Sequence, residues 1–377
     1  MFRSAAFALA AAGLSLCLLM MCLGCSQPAA NTQAGGGTET EDKTASPVEK
    51  RGDKADSGTK TEDKTGVPGE KLSGSADSGI GTEDKAIEFV KNLGGTSSRY
   101  EQAPGKPVVT VNLHFKKVTD AGLKKLAPLK NLTELYLTDT QVTDAGMKEL
   151  ATFKNLTILN LSGTKVTDAG VKELAVLKNL ANLHLDGTQV TDAGMKELAP
   201  LKNLTKLDLA RTDITDTGLK GLAPLQNLTT LNLYSTKVTD EGLKELAVLQ
   251  NLTTLYLNYT QVTGAGLKKL APLKNLTELI LENTKVADAG LKELGPLMNL
   301  TNLRLDGTKV TDTGMKELAE LKNLTSLSLG NTKVTDIGLK ELTSLKNLTE
   351  LYLYNTKLTD AALKAFKQAL PKCSIYK

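Results

Sequence analysis

The chain is poor in the residues from which most active sites are built. It has no tryptophan, aromatic residues make up 4% of it, and His114 and His184 are its only histidines. The two histidines are several repeat units apart, and no Cys, Ser or Glu cluster accompanies either at triad or metal-ligand spacing. No glycine-rich phosphate loop is present. We therefore expect neither an enzyme nor a bound metal or cofactor.

Cysteine and net charge exclude further classes. If an N-terminal leader is removed at Cys25, Cys373 is the only free thiol that remains, so no intramolecular disulfide is expected. Cys373 lies in a closing segment and is expected to be half-buried. The formal charge is only +4. The lysines recur at equivalent repeat positions without interleaved aromatics, which predicts a solvated face rather than a nucleic-acid surface.

A phrase of 24 residues recurs from about Val108 to Ala369. The copy at 131–154 reads NLTELYLTDTQVTDAGMKELATFK, and a degenerate copy precedes it from Pro107. Further copies follow without insertion or deletion, opening at Asn155, Asn179, Asn203, Asn227, Asn251, Asn275, Asn299, Asn323 and Asn347. Eleven units in register predict a solenoid, in which each unit buries its apolar face only against its neighbours.

The first half of each unit has the pattern of a strand. Leu132, Leu135 and Leu137 follow the spacing L-x-x-L-x-L. Because side chains alternate along a strand, Leu135 and Leu137 share the inner face while Glu134 and Tyr136 point outward. The inner positions are constant between units and the outer ones vary.

The second half predicts a short helix. Met147 and Leu150 have helical spacing, and the helix is expected to end near 154–155. Thr143 or Asp144 stands where a side-chain oxygen can cap its first turn. The aspartate recurs in all later units except one, where Gly264 replaces it.

These motifs resemble the leucine-rich repeat, with the V-T-D-x-G-L continuation closest to the helical subtypes of GALA proteins, F-box repeat proteins and ribonuclease inhibitor. The resemblance implies an α/β leucine-rich-repeat solenoid, a horseshoe with a parallel concave sheet and short convex helices. One column departs from the family, because threonine replaces its usual Asn or Cys after the strand. We expect these hydroxyls to form a structural ladder: Thr140, Thr164, Thr188, Thr212, Thr236, Thr260, Thr284, Thr308, Thr332 and Thr356.

The N-terminus resembles the export signal of a bacterial lipoprotein. A positive start at Arg3 precedes an apolar run over 5–23, which ends in Cys22-Leu23-Gly24-Cys25-Ser26. By that resemblance residues 1–24 are a signal peptide, and Cys25 is the lipidated residue that anchors the chain in the cell envelope, on the periplasmic or surface side. An uncleaved signal anchor is the alternative, since the run is just long enough to span a bilayer.

The remaining segments follow from composition. Residues 25–84 are rich in Gly, Ser, Thr and charged residues and contain 21-residue duplications, which predicts a disordered linker. Residues 85–106 include the amphipathic stretch AIEFVKNL and are expected to cap the array. The repeats then span 107–370, and 371–377 form a C-terminal cap.

The outer strand positions are where the units differ and therefore where a ligand would bind. Tyr234, Tyr256 and Tyr259 come from adjacent units and predict one aromatic patch, since Tyr and Arg most often anchor interfaces. Exposed tyrosine also simply suits strands. The candidate ligand-binding residues are Asp208, Arg211, Tyr234, Tyr256, Asn258, Tyr259, Glu282 and Arg304. Tyr352 and Tyr354 predict a smaller second patch.

The sequence favours a membrane-tethered, extracytoplasmic module that binds a protein, peptide or glycan on its concave face. The alternative is a structural or adhesive envelope scaffold without a single specific ligand, which the near-identity of the units favours. The first function predicts that the tyrosine patch controls binding, and the second predicts weak contacts distributed over the array.

Overall fold

The computed structural model describes residues 81–377, and these form one sheet in which every strand neighbours the next along the chain. The first strand is antiparallel to the second and all others are parallel. The strands are β1 (Thr96–Arg99), β2 (Val108–Asn112), β3 (Glu134–Tyr136), β4 (Ile158–Asn160), β5 (Asn182–His184), β6 (Lys206–Asp208), β7 (Thr230–Asn232), β8 (Thr254–Tyr256), β9 (Glu278–Ile280), β10 (Asn302–Arg304), β11 (Ser326–Ser328), β12 (Glu350–Tyr352) and β13 (Ser374–Tyr376). The predicted α/β repeat solenoid is confirmed, with β2 to β12 as the strands of the eleven units.

A short helix follows each strand on the return path of its unit. The helices are α1 (Thr82–Asn92), α2 (Asp120–Lys124), α3 (Asp144–Leu150), α4 (Asp168–Leu174), α5 (Asp192–Glu197), α6 (Asp216–Leu219), α7 (Asp240–Leu246), α8 (Gly264–Leu267), α9 (Asp288–Leu291), α10 (Met315–Leu318), α11 (Asp336–Glu341) and α12 (Asp360–Ala369). Short 3-10 turns at 220–222, 268–270, 292–294, 312–314 and 342–344 adjoin several of them. Helix α3 ends at Leu150, earlier than the predicted 154–155.

Leucines at equivalent positions stack into the core. Leu231 of β7 pairs in register with Leu207 and Leu255 of the neighbouring strands, and all three are buried. Burying such a side chain stabilises the fold by roughly 1.5–3 kcal/mol. The outer residues of the same strands stay partly exposed, as the alternation predicts.

Adjacent units are joined by an aspartate–threonine bridge. Thr215 donates its backbone N–H to Asp192 Oδ1 at 2.8 Å and its hydroxyl to Asp192 Oδ2 at 2.6 Å. The same hydroxyl accepts the N–H of Thr217 at 3.2 Å and so caps α6. The sequence left the cap open between threonine and aspartate. Threonine is the cap, and aspartate instead bonds the next unit. Nine junctions carry this bridge.

Two further columns form ladders. The hydroxyl of Thr212 donates to the carbonyl of Leu209 at 2.6 Å, and the other nine threonines of that column repeat the bond. The predicted structural ladder is confirmed. From Asn155 to Asn347, the asparagine that opens a unit donates to the carbonyl just before the asparagine of the preceding unit, as where Asn227 Nδ2 donates to Lys202 O at 2.9 Å. Most of the polar residues that recur in every unit therefore form hydrogen bonds with backbone groups.

One junction lacks the bridge. Where the other units have the aspartate and the threonine, Gly264 faces Ala287, so both partners are missing together. The backbones of the two units approach closely there: a Cβ atom on Gly264 would lie only 2.6 Å from the Cα of Gly290, so a larger residue would not fit. A hollow of about 530 Å³ opens beside this junction.

Both ends of the array are covered. Helix α1 buries Ala86, Ile87 and Val90 against the first unit, where the sequence predicts an amphipathic helix and cap. At the other end β13 extends the sheet. Cys373 is fully buried, so the expectation that it is half-buried is wrong: it belongs to the hydrophobic core directly before β13, and burial raises the pKa of its thiol.

The predicted leader, Cys25 and nearly all of the linker lie outside the described residues. Among residues 81–377 no helix is both long and apolar enough to cross a membrane.

Candidate binding surface on the concave sheet

The predicted site residues occupy three neighbouring columns on the outer face of the sheet. Asp208, Tyr256 and Arg304 are the last residues of β6, β8 and β10. Tyr234, Asn258 and Glu282 each come two residues after a strand, and Arg211 and Tyr259 come three residues after one. Neighbouring strands lie about 4.8 Å apart, so residues in successive units are side by side.

Tyr234 and Tyr259 form an aromatic pair. Their ring centroids are 5.4 Å apart and the rings are nearly perpendicular at 88°, an edge-to-face arrangement. Tyr259 remains 52% exposed. The pair therefore presents aromatic surface to solvent while its geometry is fixed by an internal contact.

Arg211 and Tyr259 stand in a backbone column with left-handed dihedrals. Their φ angles are 53° and 58°, and the same column elsewhere holds Gly, Asn, Asp or Ser, apart from Phe115 with φ 58°. A left-handed backbone costs a residue with a bulky side chain roughly 1–2 kcal/mol, which Gly largely avoids and Asn partly does. Two of the predicted site residues are thus bulky side chains at positions where the fold favours small ones.

Arg211 is held by a partner that sequence reasoning missed. Its Nε and one terminal nitrogen donate to the two oxygens of Asp186 at 2.8 and 2.5 Å. Burial raises the pKa of Asp186, and its bond to Arg211 opposes that rise. The bond to Asp186 also raises the pKa of Arg211. Asp186 precedes Arg211 by 25 residues, which is one unit plus one position. This offset places the two residues in adjacent columns of neighbouring units, and the pair could have been predicted from it.

Tyr256 is placed among charges. Burial first, then the carboxylates of Glu278 and Asp208, raise its pKa to about 12, while Arg304 acts in the opposite direction. In register, Ile280 of β9 lies between Tyr256 and Arg304 and is only 4% exposed. Tyr256 thus flanks a covered apolar residue.

Beyond Tyr256 the concave face is acidic. Arg304 Nε lies 2.6 Å from Glu282 Oε1 and 3.9 Å from Asp306 Oδ2. Asp306 Oδ1 accepts the hydroxyl of Ser328 at 2.6 Å and the N–H of Gly330 at 3.1 Å. Burial raises the pKa of Glu282 and of Glu278, with Arg304 the main opposing influence in each case. Asn258, predicted as a ligand contact, is only 8% exposed.

The two histidines have different neighbours. His184 Nδ1 lies 3.7 Å from Asp208 Oδ2, and the two residues pair in register between β5 and β6. His114 packs beside Tyr136 with ring centroids 5.2 Å apart, and burial lowers its pKa. Within the described range, no group of three or more His, Cys, Asp or Glu residues could hold a metal ion.

The smaller aromatic patch gains a member from the cap. Tyr352 and Tyr354 have centroids 6.1 Å apart, and Tyr376 stacks on Tyr352 at 4.6 Å with the rings 12° from parallel. The sequence missed Tyr376 because its strand lies beyond the last full repeat.

Another hollow lies away from these columns. A trough of about 980 Å³ runs along the opposite ends of the strands, lined by the Asn and Thr columns from Asn203 to Asn347. Its Asn and Thr side chains already donate to backbone carbonyls, as where Thr229 bonds Thr205 O at 3.1 Å. The trough is the same in each unit, so we place the candidate site on the varied concave columns instead.

Comparison with known proteins agrees with this architecture. Models described as leucine-rich repeats match residues 129–151, 154–175, 201–223, 225–247, 248–271, 297–319 and 322–365. The described chain is a leucine-rich-repeat solenoid. Neither family description names a catalytic activity. No curated protein sequence matches the chain.

Solved structures share the fold. An internalin (inlF) from Listeria monocytogenes is 23% identical, with 79% of this chain and 96% of that one covered and a TM-score of 0.52. A leucine-rich-repeat protein of Leptospira interrogans is 26% identical, with 67% and 74% covered and a TM-score of 0.50.

Proposed function

We propose that the protein is an exported, lipid-anchored recognition module that binds a protein or peptide partner on the concave face, centred on Tyr234 and Tyr259. The left-handed backbone at Arg211 and Tyr259 carries this proposal. Strained residues of this kind persist where the surrounding structure holds them in place, and they cluster at binding and active sites. Exposed tyrosine and arginine are among the residue types that most often anchor interfaces.

The surface is also organised before any partner arrives. The edge-to-face contact fixes Tyr259 against Tyr234, and the two-point bond to Asp186 fixes the guanidinium of Arg211. Because these side chains lose little freedom on binding, the ordering cost of association is small. The variety of the concave columns, set against the uniform ladders, supports a specific ligand.

Binding is tested with a displayed library of random linear peptides selected on the full-length chain in detergent. We expect the parent to enrich a defined peptide family, and a Tyr234→Ala, Tyr259→Asn double variant to lose it. Tyr354→Ala, which changes an exposed tyrosine at the same repeat position as Tyr234, is the control and should enrich the same family. Circular dichroism checks that all three proteins are folded.

Enrichment that survives in the double variant would exclude the central patch. Enrichment by no protein would favour the scaffold function, for which the uniform trough of Asn and Thr is the supporting observation. In that case contacts would be weak and spread over many units.

Anchoring is supported by the apolar run and Cys25. Cells that express the full chain should incorporate labelled palmitate, and Cys25→Ala should abolish the label while Cys22→Ala retains it. Labelling that persists in the Cys25 variant would contradict lipidation at this residue.

A further inference from the structure

Next to the tyrosine pair lies a stretch of sheet with hydrogen-bond acceptors that have no donors. Four buried side-chain polar atoms in the described part of the chain lack a partner, and three of them are the acceptors Asn258 Oδ1, Asn302 Oδ1 and Asp306 Oδ2. Native proteins pair nearly all such atoms, so each one that remains requires an explanation. Their concentration in units that lie close together on one face indicates a site for a donor.

Two of these residues border a carboxylate. The N–H of Tyr259 donates to Glu282 O and the N–H of Asn283 donates to Asp306 O, so Asn258, Glu282 and Asp306 occupy three successive rungs of one column. Asn258 is more than nine-tenths buried, yet its Oδ1 has no donor. The column therefore offers one amide oxygen and two carboxylates in a row.

The charges are unbalanced. Glu278, Glu282 and Asp306 contribute three negative charges around Arg304, which contributes one positive charge. A partly buried carboxylate without a full counter-charge is unfavourable, and a further cation would relieve it. Arg304 itself shows that a guanidinium fits against Glu282, since its Nε lies 2.6 Å from Oε1.

We infer that Asn258, Glu282 and Asp306 form a subsite for one cationic side chain, a lysine or an arginine, of a peptide whose neighbouring residues rest on Tyr234 and Tyr259. The inference rests on the proposed function and specifies its ligand. Lysine and arginine carry only donors, and the buried atoms of the subsite that lack a partner, Asn258 Oδ1 and Asp306 Oδ2, are both acceptors. Charge-assisted bonds of this kind are about twice as strong as neutral ones.

Other occupants fit less well. The described residues contain no group of three or more ligating side chains that could hold a metal ion. An anionic ligand would face the net negative charge of Glu278, Glu282 and Asp306 around Arg304. A neutral sugar would satisfy the acceptors but leave the charge unbalanced.

The test repeats the peptide selection on the full-length chain with a Glu282→Gln, Asp306→Asn variant. Both changes keep the size of the side chain and one acceptor oxygen, and they replace the other oxygen and the negative charge with an uncharged NH2 group. Glu350→Gln is the matched control, because Glu350 is a concave carboxylate of β12 that accepts from Tyr352 outside the subsite. Peptides enriched by the parent are then resynthesised with norleucine at each basic position, and their affinities are measured.

We expect the parent and the control to select peptides with a basic residue at a fixed distance from an aromatic or apolar one. Norleucine at that position should weaken binding on the order of tenfold, since a paired charge is lost. The charge-removing variant should lose the basic preference and bind the lysine and norleucine peptides alike.

Two results would overturn the inference. If the parent selects peptides without a basic preference, recognition at the tyrosine pair stands and the cationic subsite fails. If the lysine preference persists in the charge-removing variant, the cation binds elsewhere. A parent that enriches nothing refutes the proposed function itself, and the subsite with it.

Discussion

Each repeat unit contributes residues both to the ladder columns and to the concave columns, but the two sets of positions differ in how much they vary from unit to unit. In the ladders, Asp, Thr and Asn repeat almost without change, and each bonds a backbone group. In the concave columns the same rungs hold Tyr, Arg, Glu, Ala or Gly. The comparison teaches that the 24-residue period determines the fold and that departures from the period mark where the molecule can be specific.

The largest change in the free energy of unfolding is expected from a substitution in the leucine core, which lies beneath both the ladder columns and the concave columns. Leu231→Ala should lower the free energy of unfolding by about 2–5 kcal/mol, because it leaves a cavity between two fully packed units. Thr230→Ala, at the preceding residue of the same strand and on the concave side, should cost far less. Urea denaturation of both variants measures the difference, and equal losses would show that this part of the core is loosely packed.

The ladder is the next test. Asp216→Ala leaves the N–H and hydroxyl of Thr239 without their acceptor, which should cost about 1–3 kcal/mol of unfolding free energy. Asp213→Ala is the control, since Asp213 is exposed and only pairs with Lys237, and it should change stability by less than about 0.5 kcal/mol. Thermal unfolding distinguishes them. Two equal melting temperatures would mean that the bridges contribute nothing.

Changes in the left-handed column should act in the opposite direction. Phe115→Asn should stabilise the fold by about 1 kcal/mol, because asparagine tolerates the positive φ better than phenylalanine, which is 70% exposed. Tyr259→Asn should gain less, since it also loses the edge contact with Tyr234, worth about 0.5–1.5 kcal/mol. Chemical denaturation measures both, and destabilisation by Phe115→Asn would refute the idea of stored strain.

The smallest expected effect is a pH dependence. Burial raises the pKa of Glu278 above its ordinary 4.5, so the folded state binds a proton more readily than the unfolded state. Stability therefore gains as pH falls from 7 towards 4.5, and Glu278→Gln should remove that gain. Unfolding free energies of parent and variant at pH 5 and 7 test this. An unchanged slope in the variant would assign the dependence to other groups.

The fold could be predicted from the sequence because the units share one pattern, so the structure expected for one unit applies to all the others. Leu135 and Leu137 fix the inner face, and repetition fixes the register of every strand. The bridge was harder, since within a single unit Thr143 and Asp144 are equally good caps, and only the neighbouring unit decides between them. The ion pair of Arg211 with Asp186 was also harder to predict, because the two residues belong to neighbouring units and to different columns.

Tyr256 shows the limit at the candidate site. Its repeat position predicted that it faces outward beside the other tyrosines. Its surroundings depend on Glu278, Asp208 and Arg304, which belong to three other units. Periodicity assigns a residue to a face, but the direction of a long side chain on that face is decided by several varied neighbours at once.

The aspartate–threonine bridge also makes the length of the array adjustable. Every bridge joins the aspartate of one unit to the threonine of the next unit, 23 positions later in the chain. Removing or inserting 24 consecutive residues within the regular part would therefore rejoin matching halves, and the bonds across the new junction would form again between equivalent residues. Recombination between the repeats could lengthen or shorten the concave surface one rung at a time, and would move the tyrosine pair relative to the ends without a single substitution in the core.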